Sequence, residues 1–395
     1  MKPMAKPKYE KLGDFLEKAT TAKKKEDKIT TKIIKACDLA DIEYLPTGID
    51  TWDYTIGGLP KGQFTLVFGG AGVGKSTFRS AILGNTISNG GAGVLFEPEY
   101  RADKKWDGKF VDLNKLYVSQ ESGLGACLDN LIQVARSGLA DIIVVDSLAA
   151  LAVKELKDKG VEGDHMALVA RRLPTFFQLA TPIIAETKTA VVFIHQKRDV
   201  LDMYASELET YNGGNMLKHM VSLVINFRRA STTKDPDKGE RFKGANKVKL
   251  GFMNNVKVIK NSTGSLPEGK SIQLDFMAGK GFVDIQSTVF YAMRNKVICK
   301  NGPGKYIFVD KEGTYNQRGI VNVINDIEAE ETLRKRILKQ CRIFAMENTS
   351  EELELDPDVA YEAEQTGKEV PEVKDGAIKD TEPKKSEGVP AKPKK

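Results

Sequence analysis

Between Gly69 and Thr77 the chain reads Gly69-Gly70-Ala71-Gly72-Val73-Gly74-Lys75-Ser76-Thr77, directly after the apolar run Phe64-Thr65-Leu66-Val67-Phe68. The spacing fits a strand, a glycine-rich turn closing on Lys-Ser, and a helix, the arrangement of a phosphate-binding loop. A phosphate needs backbone N–H groups turned toward one point, and Gly69, Gly70, Gly72 and Gly74 are expected to take the positive φ angles that allow this. A helix from Lys75 to about Leu83 adds the positive end of its dipole. Lys75 is placed to reach the β- and γ-phosphates of a nucleotide, and the Ser76 hydroxyl to sit on Mg²⁺. A glycine turn that merely happens to end in Lys-Ser is the bland alternative, and the flanking patterns argue against it.

Two further stretches carry carboxylates. Asp146 closes the apolar run Asp141-Ile142-Ile143-Val144-Val145 and is expected to hold Mg²⁺ through its water shell. Glu97 and Glu99 end a second short apolar run, Gly93 to Phe96. Glu99 is placed to take a proton from an attacking water, with Glu97 as the weaker candidate. A solvated pair of surface carboxylates is the alternative for both.

The elements that must position these groups read as an α/β protein. Runs apolar on both faces, at Asp141–Ser147 and Ala190–Gln196, suit central parallel strands. Leu113–Ser119 reads as another strand, and Cys127–Ser137 as a helix with Leu128, Leu131, Ile132 and Ala135 on one face. Alternation of strands and helices implies a mostly parallel, helix-covered sheet with ligands beyond the carboxyl ends of its strands. From Met220 short strands are expected at Val221–Phe227, Lys247–Phe252, Val256–Lys260 and Ser271–Phe276, forming an antiparallel extension. This gives residues 42–280 as an ATPase core and 281–346 as a small C-terminal α/β domain, with helices around Val289–Asn295 and Ala329–Ala345. Residues 347–395, rich in Glu, Lys and Pro, read as a disordered charged tail. Residues 1–41 read as a short helical segment, with Leu12, Phe15, Leu16 and Ala19 on one face, followed by a charged tether.

The whole chain of 395 residues is 41% hydrophobic and 29% charged, with a net charge of +6, compatible with nucleic acid but too mild to argue for it alone. No apolar run approaches a membrane span and no signal peptide is evident, so a cytoplasmic location is expected. Cys37, Cys127, Cys299 and Cys341 show no paired spacing, which argues against a zinc site or a disulfide framework and for reduced, mostly packed thiols.

The run Ala140 to Leu151, the segment Gly163-Asp164-His165-Met166-Ala167-Leu168-Val169-Ala170-Arg171, the run Gly213-Gly214-Asn215-Met216-Leu217-Lys218 and Val256-Lys257-Val258-Ile259-Lys260-Asn261 together resemble the RecA family of DNA-strand-exchange recombinases. The likeness spans roughly Ile42 to Lys339, which makes it more specific than a phosphate loop alone. It implies a helical filament of like subunits on single-stranded DNA, pairing with homologous duplex DNA, with ATP and Mg²⁺ between adjacent subunits and single-strand-binding or mediator proteins as further partners. It also implies that Glu99 is the catalytic glutamate, that Asp103 and Trp106 contact adenine, and that Gln196 senses the γ-phosphate. Lys257 and Lys260 would face a neighbour's nucleotide. Two loops, around Glu155–Met166 and Lys197–Tyr211, would hold DNA, with Arg171, Arg198, Gly213, Gly214 and Asn215 meeting phosphates and Met166 wedging between bases.

The chain also departs from that family. Asp199, Asp202, Glu207 and Glu209 load the second loop with negative charge, which weakens phosphate binding there. Ser262 stands where the family has a second lysine, and His195 and His219 where it has Asn and an aromatic. Such divergence suggests a phage-encoded or distant bacterial member. A nucleotide-gated DNA-binding filament or accessory protein with little hydrolysis is the alternative reading, and a hexameric helicase a third.

Overall fold

The strands Ile142–Asp146 and Ala190–Asp199 set the architecture, because consecutive apolar side chains on them enter two different layers. In a computed structural model of the chain, the described residues are 37, 39–152, 165–199, 209–211, 214–230, 251–263 and 267–347. They run β1 (Tyr44–Leu45), α1 (Asp50–Thr55), β2 (Leu59–Pro60), β3 (Phe64–Gly69), α2 (Lys75–Ser88), β4 (Gly93–Phe96), α3 (Lys104–Asp107), β5 (Tyr117–Ser119), α4 (Leu124–Arg136), β6 (Ile142–Asp146), a 3-10 turn over Leu148–Ala152, α5 (His165–Thr187), β7 (Ala190–Asp199), β8 (Glu209–Tyr211), α6 (Gly214–Met220), β9 (Leu223–Arg229), β10 (Gly251–Asn261), β11 (Ser271–Met277), β12 (Gly281–Phe282), α7 (Asp284–Arg294), β13 (Cys299–Lys300), β14 (Lys305–Asp310), β15 (Gly313–Arg318), α8 (Ile320–Ala329) and α9 (Glu331–Glu347). The expected N-terminal helix and charged tail lie outside the described residues, as do most of both expected DNA loops.

Ile142 and Val144 of β6 share one layer with Val192 and Ile194 of β7, under Trp52 of α1 and Phe78, Ile82 and Leu83 of α2. Ile143 and Val145 face the other way, with Val191, Phe193 and Phe64, under Leu128 and Leu131 of α4 and Phe176 and Phe177 of α5. A strand with no polar position is stable only when both faces are covered, and each such side chain contributes about 1.5–3 kcal/mol when fully buried. The main sheet has the order β12-β11-β10-β9-β3-β7-β6-β4-β5, with β8 on the far end of β7. From β5 to β9 neighbouring strands are parallel; β9, β10, β11 and β12 pair antiparallel. The α/β class, the parallel core and the antiparallel extension are as the sequence implies.

Three details differ. The strand expected at Val221–Phe227 belongs to the parallel core, because β9 lies parallel to β3 and only its other edge begins the extension. The separate strands expected on either side of Met253-Asn254-Asn255 are one strand, β10, described from Gly251 to Asn261 with a register shift between Val258 and Lys260. That tripeptide has no Gly or Pro to break a ladder, and Asn254 is fully buried, donating to Val73 O at 2.9 Å. The strand expected from Leu113 starts only at Tyr117, since Asp112 turns the chain by accepting from Asn114 N at 3.1 Å.

Residues 284–347 add α7, α8 and α9 and the small sheet β13-β14-β15. Their apolar residues Val289, Ala292, Ile337 and Cys341 continue the layer that contains Trp52. Asp284 accepts from Asp50 N at 2.8 Å and Thr51 N at 3.1 Å, so a carboxylate from the first turn of α7 caps the start of α1. Burial pushes Asp284 above the usual carboxylate range, opposed by the hydrogen bonds from Thr51 and Asp50. The expectation of mostly packed thiols is corrected: Cys127 and Cys341 are buried, whereas Cys37 and Cys299 are exposed.

Gly84 lies in mid-helix, where alanine ordinarily stabilises by roughly 1 kcal/mol. Here an added Cβ would stand 1.9 Å from the Phe110 carbonyl oxygen. Gly84→Ala is therefore expected to destabilise the fold by about 1–3 kcal/mol, read as a lower denaturation midpoint. A midpoint at or above the wild-type value would show that α2 and the Phe110 segment separate at little cost.

Candidate nucleotide-binding site

Pointing the N–H groups of a loop inward turns its carbonyls outward, where each needs a donor. Lys75 Nζ donates to Gly69 O at 2.9 Å and Gly70 O at 2.6 Å. Arg229, at the end of β9, donates to Gly72 O at 3.0 Å, and Asn254 of β10 to Val73 O at 2.9 Å. Gly72 and Gly74 take φ of 69° and 89°, the left-handed turn expected of them. Gly69 and Gly70 do not have positive φ, which corrects the expectation for that pair. Gly69 is needed for a different reason, since a Cβ there would stand 2.2 Å from Phe227 O on the neighbouring strand. Burial lowers the pKa of Lys75, and the nearby charges of Asp146 and Glu99 oppose that shift.

Asp146 ends β6, beside β7 and two places from β3 in the sheet, and so faces the phosphate loop. Burial raises its pKa; the Arg79 guanidinium, 2.9 Å away, and a hydrogen bond from Ser76 push it back down. Glu99 follows β4; its Oε1 accepts from Ser147 Oγ at 2.5 Å, and its Oε2 lies 2.8 Å from Arg101 Nη1. Glu97 is almost fully buried, and both its carboxylate oxygens accept from Arg101 N at 3.0 Å, so this residue braces the turn that presents Glu99. Gln196 on β7 is exposed and stands in register with Gly69. Lys75, Ser76, Glu99, Asp146 and Gln196 line one cleft.

The donors in that cleft fit a magnesium nucleotide. Ser76 and Asp146 offer one hydroxyl and one carboxylate side by side, and Mg²⁺ is ordinarily held by one or two protein oxygens with phosphates and waters completing the shell. Bound there, Mg²⁺ would neutralise charge on the phosphate oxygens.

Asp103 is exposed and accepts from Lys105 N at 2.9 Å, capping α3. Trp106 is half-buried; its indole donates to Thr77 Oγ1 at 3.2 Å and its ring packs near Phe110 and Phe276. This brings α3 against the loop helix α2. Lys257 is half-buried on β10, paired with Asn226 and Ser271. Lys260 Nζ donates to Lys218 O and His219 O at 3.0 Å and to Val221 O at 2.7 Å, closing the C-terminal end of α6. Arg171 is exposed on α5. Met166, Arg198, Gly214 and Asn215 are placed as backbone, in α5, β7 and the start of α6, while Gly213 lies outside the described residues. Sequence reasoning missed Arg79, Arg101, Ser147, Arg229 and Asn254. Only Arg79 carried a signal, as a cation one helical turn beyond Lys75 on a face that must be buried.

The RecA N-terminal domain family matches residues 20–283. Protein RecA of Chlorobaculum tepidum is 32% identical over 305 residues, covering 76% of this chain and 83% of that protein. The chain belongs to the RecA family. Protein RecA of Leifsonia xyli is 31% identical over 297 residues, 74% of this chain and 80% of its own length. Protein RecA of Bifidobacterium breve is 32% identical over 266 residues, 66% of this chain and 64% of its own. The RecA family comprises DNA-dependent ATPases of recombination and repair that use ATP and Mg²⁺, bind single-stranded DNA and self-associate. Among the described residues no helix is long and apolar enough to cross a membrane.

Because Lys75 is the loop's own side-chain cation, Lys75→Ala is expected to abolish nucleotide binding, measured with a fluorescent ATP analogue. Asp146→Asn is expected to retain the nucleotide but to require more Mg²⁺. Unchanged binding in Lys75→Ala would exclude this cleft.

Proposed function

We propose that this chain is an ATP-dependent recombinase that assembles as a helical filament on single-stranded DNA and exchanges strands with homologous duplex DNA. The observation that carries this reading is one cleft. In it Lys75, Gln196, Asp146 and Glu99 come from or just beyond the ends of four neighbouring parallel strands, β3, β7, β6 and β4. Lys75 and the loop N–H groups hold the phosphates, Ser76 and Asp146 the metal side, and Asp103 and Trp106 the adenine. Glu99 takes the proton of the attacking water, and Gln196 couples the γ-phosphate position to the DNA loop that follows β7. Arg171, Arg198, Met166 and the Gly213-Gly214-Asn215 turn contact DNA, and residues 1–41 link neighbouring subunits. The core over 42–280 and the small domain over 281–346 do this work in the cytoplasm of a bacterial or phage-infected cell.

Lys257 and Lys260 complete the nucleotide site of the neighbouring subunit, where a cation stabilises charge on the transferring phosphoryl group. A filament with little hydrolysis is the second reading, favoured by two contacts: Glu99 is held by Ser147 and Arg101, and Lys260 by three carbonyls. Steady-state ATP turnover with and without single-stranded DNA separates the two, since the recombinase must show DNA-stimulated turnover.

Glu99→Gln keeps shape but loses the base. It is expected to retain ATP and DNA-bound filaments while slowing turnover by roughly 10²- to 10⁴-fold; normal turnover would move the role elsewhere. For the shared site, Lys260→Ala and Lys75→Ala are each expected to be inactive alone. A mixture should regain part of the DNA-dependent turnover at junctions where an intact Lys75 meets an intact Lys260. No recovery, with mixed assembly shown by cross-linking, would place Lys260 within its own subunit's structure.

A further inference from the structure

Arg79 is a buried cation with carboxylates on two sides. Its side chain is 4% exposed; Nη1 lies 2.9 Å from Asp146 Oδ2 and Nη2 lies 2.8 Å from Asp107 Oδ1. Asp107 closes the four-residue helix α3 and also accepts from Ser80 Oγ at 2.6 Å. The residue before it, Trp106, donates to Thr77 on the same loop helix. The first two turns of α2 therefore hold the segment Asp103–Asp107 at three points, and Arg79 continues that tie to the carboxylate at the end of β6.

The Asp107 arm ties α2 to α3 and offsets part of the buried charge. The second arm reaches the one carboxylate of the cleft that stands next to Ser76, and it occupies one of that carboxylate's two oxygens. Rotation of the Asp146 carboxylate is thereby restrained beside Ser76, which also hydrogen-bonds it. Outer partners that orient a metal-facing carboxylate characteristically change metal affinity by about 10- to 100-fold when lost. A guanidinium suits this task because its planar fork can meet two carboxylates at fixed angles, which a single ammonium cannot. We propose that Arg79 is a positioning residue for the metal site: it fixes Asp146 through Oδ2 and ties that carboxylate to the segment carrying Trp106. The inference rests on the magnesium-nucleotide reading of the cleft.

The test uses the full chain with ADP and Mn²⁺, reading bound metal by electron paramagnetic resonance and the nucleotide by Trp106 fluorescence. The chain's other tryptophan, Trp52, is fully buried in the core. The double variant Arg79→Met with Asp107→Asn removes the buried cation without stranding the charge of Asp107, and the amide oxygen introduced there can still accept from Ser80. Mn²⁺ binding to its ADP complex is expected to weaken about tenfold or more, and by clearly more than its ADP binding in EDTA does. Arg79→Lys is expected to fall between the wild type and the double variant and carries the test if the double variant does not fold. Wild-type Mn²⁺ affinity in the folded double variant, or in Arg79→Lys when that variant stands alone, overturns the assignment. So does an equal loss of ADP binding in EDTA, because Arg79 would then support the site as a whole. A wild-type protein that binds neither ADP nor its Mn²⁺ complex overturns the nucleotide reading itself.

Discussion

The outward carbonyls of the phosphate loop are the constraint on which the site depends. A loop that turns its N–H groups toward a ligand leaves Gly69, Gly70, Gly72 and Val73 with carbonyls facing protein, and each must find a donor. Three side chains supply them: Lys75 from the loop itself, Arg229 from the end of β9 and Asn254 from mid-β10. Asn254 gives the first strand of the antiparallel extension a direct part in holding the loop of the parallel core. Without β10 the Val73 carbonyl would be buried without a donor, a loss of roughly 1–3 kcal/mol in the part of the fold that must stay rigid. Phe276 of β11 and Phe282 of β12 add bulk behind Gly74, within 3.2–3.4 Å of where a Cβ would stand.

This arrangement accounts for what could be read in the chain and what could not. Residues 142–145 and 191–194 were legible as central strands because an unbroken apolar run has no other stable placement at that length. The loop from Gly69 to Thr77 was legible because the turn and its chemistry are local. Asn254 was not, for its role depends on a carbonyl 181 residues away. In sequence, Asn254-Asn255 resembles a turn, which is why one strand read as two. Gly69 misled in the opposite sense: its glycine is required by the closeness of Phe227 O on a neighbouring strand rather than by its own φ. Arg79 and Asp107 lie 28 residues apart and pair only because α3 folds back on α2. Asp107 looks like solvated surface until that packing is known, whereas Arg79 at least falls one helical turn beyond Lys75.

Glu97 and Glu99 show how two like residues acquire different work from position alone. Both follow β4, two residues apart, and sequence could only rank them. The chain turns at Pro98, and Arg101 N lands on both oxygens of Glu97, which stays almost fully buried in the wall of the cleft. Glu99 lines the same cleft, but its partners are a hydroxyl and an exposed guanidinium. A carboxylate held by side chains can exchange partners more readily than one locked on a backbone N–H, and proton transfer requires such exchange.

Strand β10 has a second consequence for the proposed filament. Three residues beyond Asn254 it carries Lys257, and at its register shift it carries Lys260, whose ammonium closes the end of α6 on three carbonyls. For Lys260 to face a neighbour's phosphates, those carbonyls must lose their donor, and the last turn of α6 must find water or rearrange. Helix α6 begins at Gly214, in the turn proposed to close on DNA. If the ammonium meets the next nucleotide as proposed, it must give up part of its hold on that helix. DNA that orders the start of α6 and ATP that draws Lys260 from its end would then act on one short helix from opposite ends. On the proposed reading, Lys260 and the start of α6 would be the two ends at which the ligands meet one short helix, and the seat of the phosphate loop on Asn254 lies on the same strand as Lys260.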